Sequence, residues 1–361
     1  VTERREARRA TAILAGRILL AVGIGVAGGA LFRWLSMPLP WMLGAMTATT
    51  LAALGGLPVT APRRMRAPVV VVIGVMLGSS FTPELAARFG EWGISLAFLV
   101  LYIAASALLA VPYYRYVAGF DWRTAYFSGM PGGLNEMIIF GREMGGDERM
   151  IALVHASRVF VVVCVIALWF RVVAGHELGD RSLFGVPFAA VPGHELLILA
   201  ACGVIGALVG HPLRLPAPLL VGPMLVSALV HLVGLSHSPP PSELVVLAQI
   251  MLGTVLGCRF VGVEPGELGR ALVLSLGATA IVLGVSLGFV SGFGALFGQA
   301  REQVLLAYAP GGLAEMSLVA LAMQADVAYV ATHHTFRIAI VILFAPLVFR
   351  LLAGPTPSRR E

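Results

Sequence analysis

Apolar residues run through this 361-residue chain in long blocks separated by short polar stretches. Ten such blocks cover 11–32, 41–57, 67–81, 91–111, 151–173, 196–209, 219–235, 244–258, 268–293 and 327–352. A helix that crosses the hydrocarbon core needs about 17–25 mostly apolar residues, and these blocks cluster around that length without the period-2 alternation of strands. The pattern predicts an all-α polytopic membrane protein. The longest polar connection, Arg171 to Glu195, has the length of a loop and leaves no room for a soluble domain. The first block follows an Arg-rich start, but it is longer than the apolar region of a signal peptide and carries Arg17, so it is assigned as a span.

The blocks repeat. Pro131-Gly-Gly-Leu-Asn-Glu-Met137 returns as Pro310-Gly-Gly-Leu-Ala-Glu-Met316, displaced by 179 positions, and at the same displacement Asp147 meets Asp326, His155 meets His334 and Arg158 meets Arg337. Upstream, Met37-Pro-Leu-Pro-Trp-Met-Leu-Gly44 resembles Leu215-Pro-Ala-Pro-Leu-Leu-Val-Gly222, and Met76-Leu-Gly78 resembles Met251-Leu-Gly253. An ordered set of matches that includes His and Arg, residues rare in membrane spans, marks a duplication. The expected organisation is a basic N-terminus at 1–11, a first repeat at 12–175, a linking loop at 176–194, a second repeat at 195–353 and a tail at 354–361.

Each repeat then holds about five spans and one element broken by Pro-Gly-Gly, which is either re-entrant or a full crossing. Broken backbone at membrane depth is tolerated only where protein or a water-filled cavity satisfies it. With the broken elements re-entrant, Arg63, Arg64, Arg66, Arg115, Arg123, Arg142, Arg149, Arg214, Arg259, Arg270 and the Arg359-Arg360 tail fall on one side, and Arg33, Arg88, Arg171, Arg181 and Arg301 on the other. The positive-inside rule favours this arrangement, with inverted halves and both termini in the cytoplasm. A crossing broken helix is the alternative.

Composition agrees with a membrane setting: 58% of the residues are hydrophobic and 12% charged. The net charge of +6 is scattered through short loops, all of its basic residues being Arg, and does not gather into a face for nucleic acid. Cys164, Cys202 and Cys258 stand singly in or beside apolar spans, as small core residues do.

The candidate chemistry sits at the repeated motif. Pro131, Gly132 and Gly133, and Pro310, Gly311 and Gly312, would start half-helices whose N–H groups converge on an anion. Asn135, Glu136 and Glu315 follow in the first turns, where the glutamates either bind or merely cap. His155 and Arg158, like His334 and Arg337, are three apart and share a helix face. Charged residues in a span face a cavity or a partner. Each Arg is therefore either a substrate anchor or a brace paired with the Glu of its own repeat, with the His or Glu residues as proton carriers in the first case. Asp147 and Asp326 read as N-caps. His176-Glu177 and His194-Glu195 lack the second His of a zinc-protease helix, and His333 beside His334 completes no metal set, so no metal and no cofactor are expected.

The paired PGGLNEM and PGGLAEM motifs with their downstream His and Arg resemble the bacterial membrane AbrB family, whose members are often labelled ammonia monooxygenases or regulators of gene expression. The resemblance covers nearly the whole chain and implies a multi-pass inner-membrane protein. The oxygenase label is not followed, because the sequence offers no copper-ligand set, and no enzyme activity is expected. More distantly, the layout resembles the cation/proton antiporter and anion transporter superfamily, which implies a core module moving against a scaffold. The resulting expectation is a secondary transporter of a small anionic organic solute coupled to H⁺ or Na⁺, with a homodimer as one assembly and no nucleic-acid partner. A membrane sensor that reports the same ligand to a regulatory partner is the alternative.

Overall fold

The computed structural model describes residues 2–37, 39–86, 89–172 and 186–353, and among them the regular structure is entirely helical. The first repeat runs α1 (Thr2–Trp34), α2 (Pro40–Leu54), α3 (Arg63–Gly78), a single turn α4 (Pro83–Ala86), α5 (Trp92–Pro112), α6 (Trp122–Gly129), α7 (Leu134–Glu143) and α8 (Glu148–Val172). The second runs α9 (Gly193–Gly210), α10 (Pro218–Leu232), α11 (Ser242–Gly257), α12 (Pro265–Phe297), α13 (Arg301–Tyr308), α14 (Leu313–Ala322) and α15 (Val327–Ala353). Apart from α4 the helices correspond one to one. Seven helical segments of the described residues are long and apolar enough to cross a membrane, so the chain is a polytopic membrane protein. Most of the Arg171 to Glu195 connection lies outside the described residues.

The duplication is written into the backbone. Of the residues with positive φ, Ser36 and Arg214, Leu39 and Ala217, and Gly56 and Gly234 pair at a displacement of 178, while Gly119 and Gly298, and Gly145 and Gln324, pair at 179. Left-handed backbone is unfavourable for residues other than glycine, so its return at the same places reflects one template. Leu39 and Ala217, both at φ 45°, stand just before Pro40 and Pro218, the prolines that open α2 and α10. Proline suits that position because it lacks an N–H that the first turn could not use.

The chain folds as two compact units, and neither is a repeat. The first comprises 1–89, 162–270 and 314–328, the second 90–161, 271–313 and 329–361. Within the first unit α1 packs on α2 and α9 on α10, and each pair closes through facing glycines: a Cβ on Gly28 or Gly44 would strike the other's carbonyl, and Gly206 and Gly222 repeat the arrangement. The repeats also interlock there. Gly74 and Gly78 of α3 lie on the carbonyls of Leu220 and Met224 in α10, and Gly253 and Gly257 of α11 lie on those of Met42 and Met46 in α2. Small residues of this kind let helix backbones approach in a membrane, where packing replaces the hydrophobic drive. The matching contacts correct the register: Gly78 corresponds to Gly257, not to Gly253, because position in the helix contact and not local sequence likeness defines equivalence.

Candidate functional site

The site is built in the second unit around the break between α6 and α7. Asp121 starts α6 by accepting hydrogen bonds from the N–H groups of Arg123 and Thr124, at 2.9 and 3.2 Å. The helix stops at Gly129, since Met130 turns to extended backbone and Pro131 has no N–H to continue the ladder. Chain direction resumes as helix at α7, with Gly133 as its N-cap. A helix that ends inside a membrane protein strands its last carbonyls away from water.

The helix after the break supplies the missing donors. His155 Nε2 lies 2.8 Å from the carbonyl of Phe127, Arg158 Nη1 donates to that of Met130 at 3.0 Å, and its Nη2 reaches toward Gly132 O at 3.5 Å. The second copy repeats this donor for donor: His334 Nε2 faces Leu306 O at 3.0 Å, and Arg337 donates to Ala309 O and Gly311 O. Their spacing of three in α8 and α15 places each His and Arg on one face. All four are buried, Arg158 at 5% and Arg337 at 2% exposure. A carbonyl can only accept, so the Nε2 of each histidine carries a proton that is committed to the helix end; each Nδ1 is left without a partner.

The brace therefore runs through main-chain carbonyls and not, in the first copy, through Glu136. That carboxylate instead folds back over the N-cap of its own helix, so close that a Cβ on Gly133 would collide with it. Asn135 is exposed; Pro131 and Gly132 are buried, and a Cβ on Gly132 would meet Val341 Cγ1 at 2.8 Å and Met137 Sδ at 3.0 Å. In the second copy Pro310 and Gly311 are buried and Gly312 half-buried. Glu315 belongs to the first unit, where it is buried and under the charges of Arg66 and Arg259. Asp147 caps α8 through the N–H of Met150 at 3.0 Å.

Electrostatically the second unit is one-sided. Arg158 and Arg337 lie within Coulombic range of each other and of Tyr102, and Arg158 also of Tyr114. Among the described residues the buried carboxylates are Glu195 and Glu315, both in the first unit. The described residues of the second unit thus bury two guanidinium groups and no carboxylate. The Nε of each has no hydrogen-bond partner. Tyr102 and Tyr114 did not stand out in the sequence, where one hydroxyl in an aromatic-rich block makes no pattern. The comparison of copies was the available signal, since Phe293 occupies the position 179 beyond Tyr114.

The remaining histidine candidates have local partners. His333 lies 2.9 Å from Ser95 Oγ and 2.8 Å from Tyr329 O; Glu195 accepts from the Ser236 hydroxyl and the His237 N–H; His176 and Glu177 lie outside the described residues. Among the described residues no three of His, Cys, Asp or Glu gather as a metal-binding group.

A family model described as "Transition state regulatory protein AbrB" matches residues 41–353. A protein of Escherichia coli (strain K12) named "Putative regulator AbrB" is 26% identical over 351 residues, covering 95% of this chain and 96% of the relative. "Uncharacterized protein YhjN" of Bacillus subtilis (strain 168) is 26% identical over 370 residues, covering 92% of each.

Proposed function

The chain belongs to the AbrB family, and from that premise and the two buried arginines we propose that it is a secondary active transporter of a small anionic organic solute, coupled to H⁺ or Na⁺ and not an enzyme. One observation carries this reading: among the described residues, the second unit holds two buried guanidinium charges and no buried carboxylate to balance them. A charge taken out of water is costly unless it is paired. The carbonyls that hold Arg158 and Arg337 supply part of the compensation, and a solute anion would supply the rest. The repeated breaks serve the same end, because half-helices in transporters present their termini to substrate and coupling ion. In this proposal the repeats are inverted in the inner membrane with both termini cytoplasmic, as the Arg distribution favours.

The name of the E. coli relative favours a second reading, in which the same site senses the anion and reports it to a regulatory partner. Flux separates them. Protein reconstituted in proteoliposomes should accumulate radiolabelled acetate, lactate or succinate under an imposed pH or Na⁺ gradient, and lose uptake on Arg158→Gln or Arg337→Gln. Binding of these anions without flux under either gradient would favour the sensor.

A further inference from the structure

We propose that His231 is a proton-binding site of the first unit: with both ring nitrogens protonated it joins α10, through the Ser236 hydroxyl, to Glu195 of α9, and loss of the proton releases the turn between α10 and α11. The site is independent of Arg158 and Arg337, which belong to the second unit.

The hydrogen bonds around His231 fix its protonation. Nδ1 lies 2.8 Å from the carbonyl of Ser227, and Nε2 lies 3.2 Å from that of Ser238. A carbonyl can only accept. The two hydroxyls within reach have spent their protons elsewhere. Ser227 Oγ, 3.4 Å from Nδ1, donates to Val75 O at 2.9 Å, and Ser236 Oγ, 3.3 Å from Nε2, donates to Glu195 Oε2 at 2.5 Å. Every neighbour of either nitrogen is thus an acceptor. Only the imidazolium satisfies such a set, because neutral histidine presents a lone pair at one nitrogen. The carboxylate in turn accepts a second hydrogen bond, from the N–H of His237 to Oε1 at 3.3 Å. Imidazolium and carboxylate are therefore paired through one hydroxyl, and His231, Ser236 and Glu195 are all buried. A buried charge of either sign needs such a partner.

The pair is an addition to the duplicated template. At the displacement of 178 that relates Gly56 to Gly234, the positive-φ glycines of the two turns, His231 stands where the first repeat has Ala53, and Ser236 where it has Pro58. The first repeat closes the same turn without these groups, so the backbone does not require them. The other titratable groups that face the pair are His194 of α9 and His237 of the turn, both exposed and within Coulombic range of Glu195. Glu243, at the start of α11, is turned instead to the Phe188 N–H and the Ser242 hydroxyl, and α3 contributes the Val75 carbonyl. An unfolded chain offers His231 no such set of acceptors, so folding favours the protonated ring. The stability this confers is present at acid pH and is lost as pH rises through the histidine range. A ring nitrogen that gave up its proton would turn a lone pair on a carbonyl oxygen, and the charge that holds Glu195 through Ser236 would vanish. Because Ser227 also ties α10 to α3, the latch adjoins the crossing of the two repeats.

The test is made on the purified full-length protein in detergent, with wild type, His231→Gln, Ser236→Ala and the double variant His194→Gln/His237→Gln. The melting temperature of each is measured between about pH 5 and pH 8, where histidine changes charge. Wild type and the double variant are expected to melt lower as pH rises, and His231→Gln and Ser236→Ala to lose most of that dependence. In protein labelled with ¹⁵N-histidine, the ring signals that disappear in His231→Gln should show a proton on both nitrogens at the acid end of the range and on one at the other. A single ring proton at both ends would overturn the proposal. A slope that survives in His231→Gln, or one that vanishes in the double variant, would place the proton elsewhere and overturn it too. Ser236→Ala keeps the ring and the carboxylate and removes the hydroxyl between them, so an unchanged slope there would sink the latch even if His231→Gln does not fold. A flat wild-type profile would do so without any variant.

Discussion

At the scale of single residues, Arg158 does two things that mutation can separate. Its guanidinium satisfies carbonyls at the break, so Arg158→Gln should lower stability by about 1–3 kcal/mol for each carbonyl left bare. Had the brace been a Glu136 pair, adding Glu136→Gln would restore stability by removing an unpaired charge. With the carbonyls as partners the double variant should melt no higher than Arg158→Gln alone, which thermal unfolding in detergent would show. His155→Phe should cost a similar amount for the same reason, since Phe127 O would lose its donor. These residues were legible in the sequence because His and Arg are rare in spans and returned at one displacement. Their partners were not, since every residue carries a carbonyl and nothing in a side chain announces which one is stranded. The Glu–Arg pairing considered from sequence assumed that a buried charge seeks a charge; here a helix end serves.

At the scale of elements, the long spans were legible in hydrophobic blocks, whereas α6 and α13 were not. Each is eight residues long, too short to show a period, and α6 opens on Trp-Arg-Thr, which interrupts any apolar block. What could be seen was the proline and glycines that end them. Space at the break is limited, and Gly132→Ala should destabilise by about 1–3 kcal/mol, the usual cost of overpacking, because Val341 and Met137 already occupy the place of a Cβ. The crossing of α3 on α10 and of α11 on α2 joins segments far apart in sequence, which local pattern cannot foresee. Its trace is the glycine pair in each helix. Leucine at Gly44 or Gly222 should force α1 from α2, or α9 from α10, because backbone carbonyls stand where the side chain would go. Limited proteolysis should then cut both variants at protease concentrations that leave wild type intact.

For the whole molecule, the inverted arrangement predicts opposite exposure at two described positions. With Cys164, Cys202 and Cys258 replaced by Ala, a cysteine at exposed Ala190 should react with an impermeant maleimide added outside intact cells. A cysteine at exposed Glu143 should react only after the membrane is opened. The reverse pattern, or labelling of both from outside, would reject the proposed topology. The interlocking of repeats in the first unit also has a consequence in time. Synthesis passes Leu54, the end of α2, long before it reaches Ser242, the start of α11. At about 5–20 residues per second that interval is on the order of 10–40 s. Throughout it α2 waits in the bilayer without α11, and for most of it α3 waits without α10, so a chain interrupted between the repeats leaves the carbonyl face of α2 at Met42 and Met46 and the glycine face of α3 at Gly74 and Gly78 open to lipid.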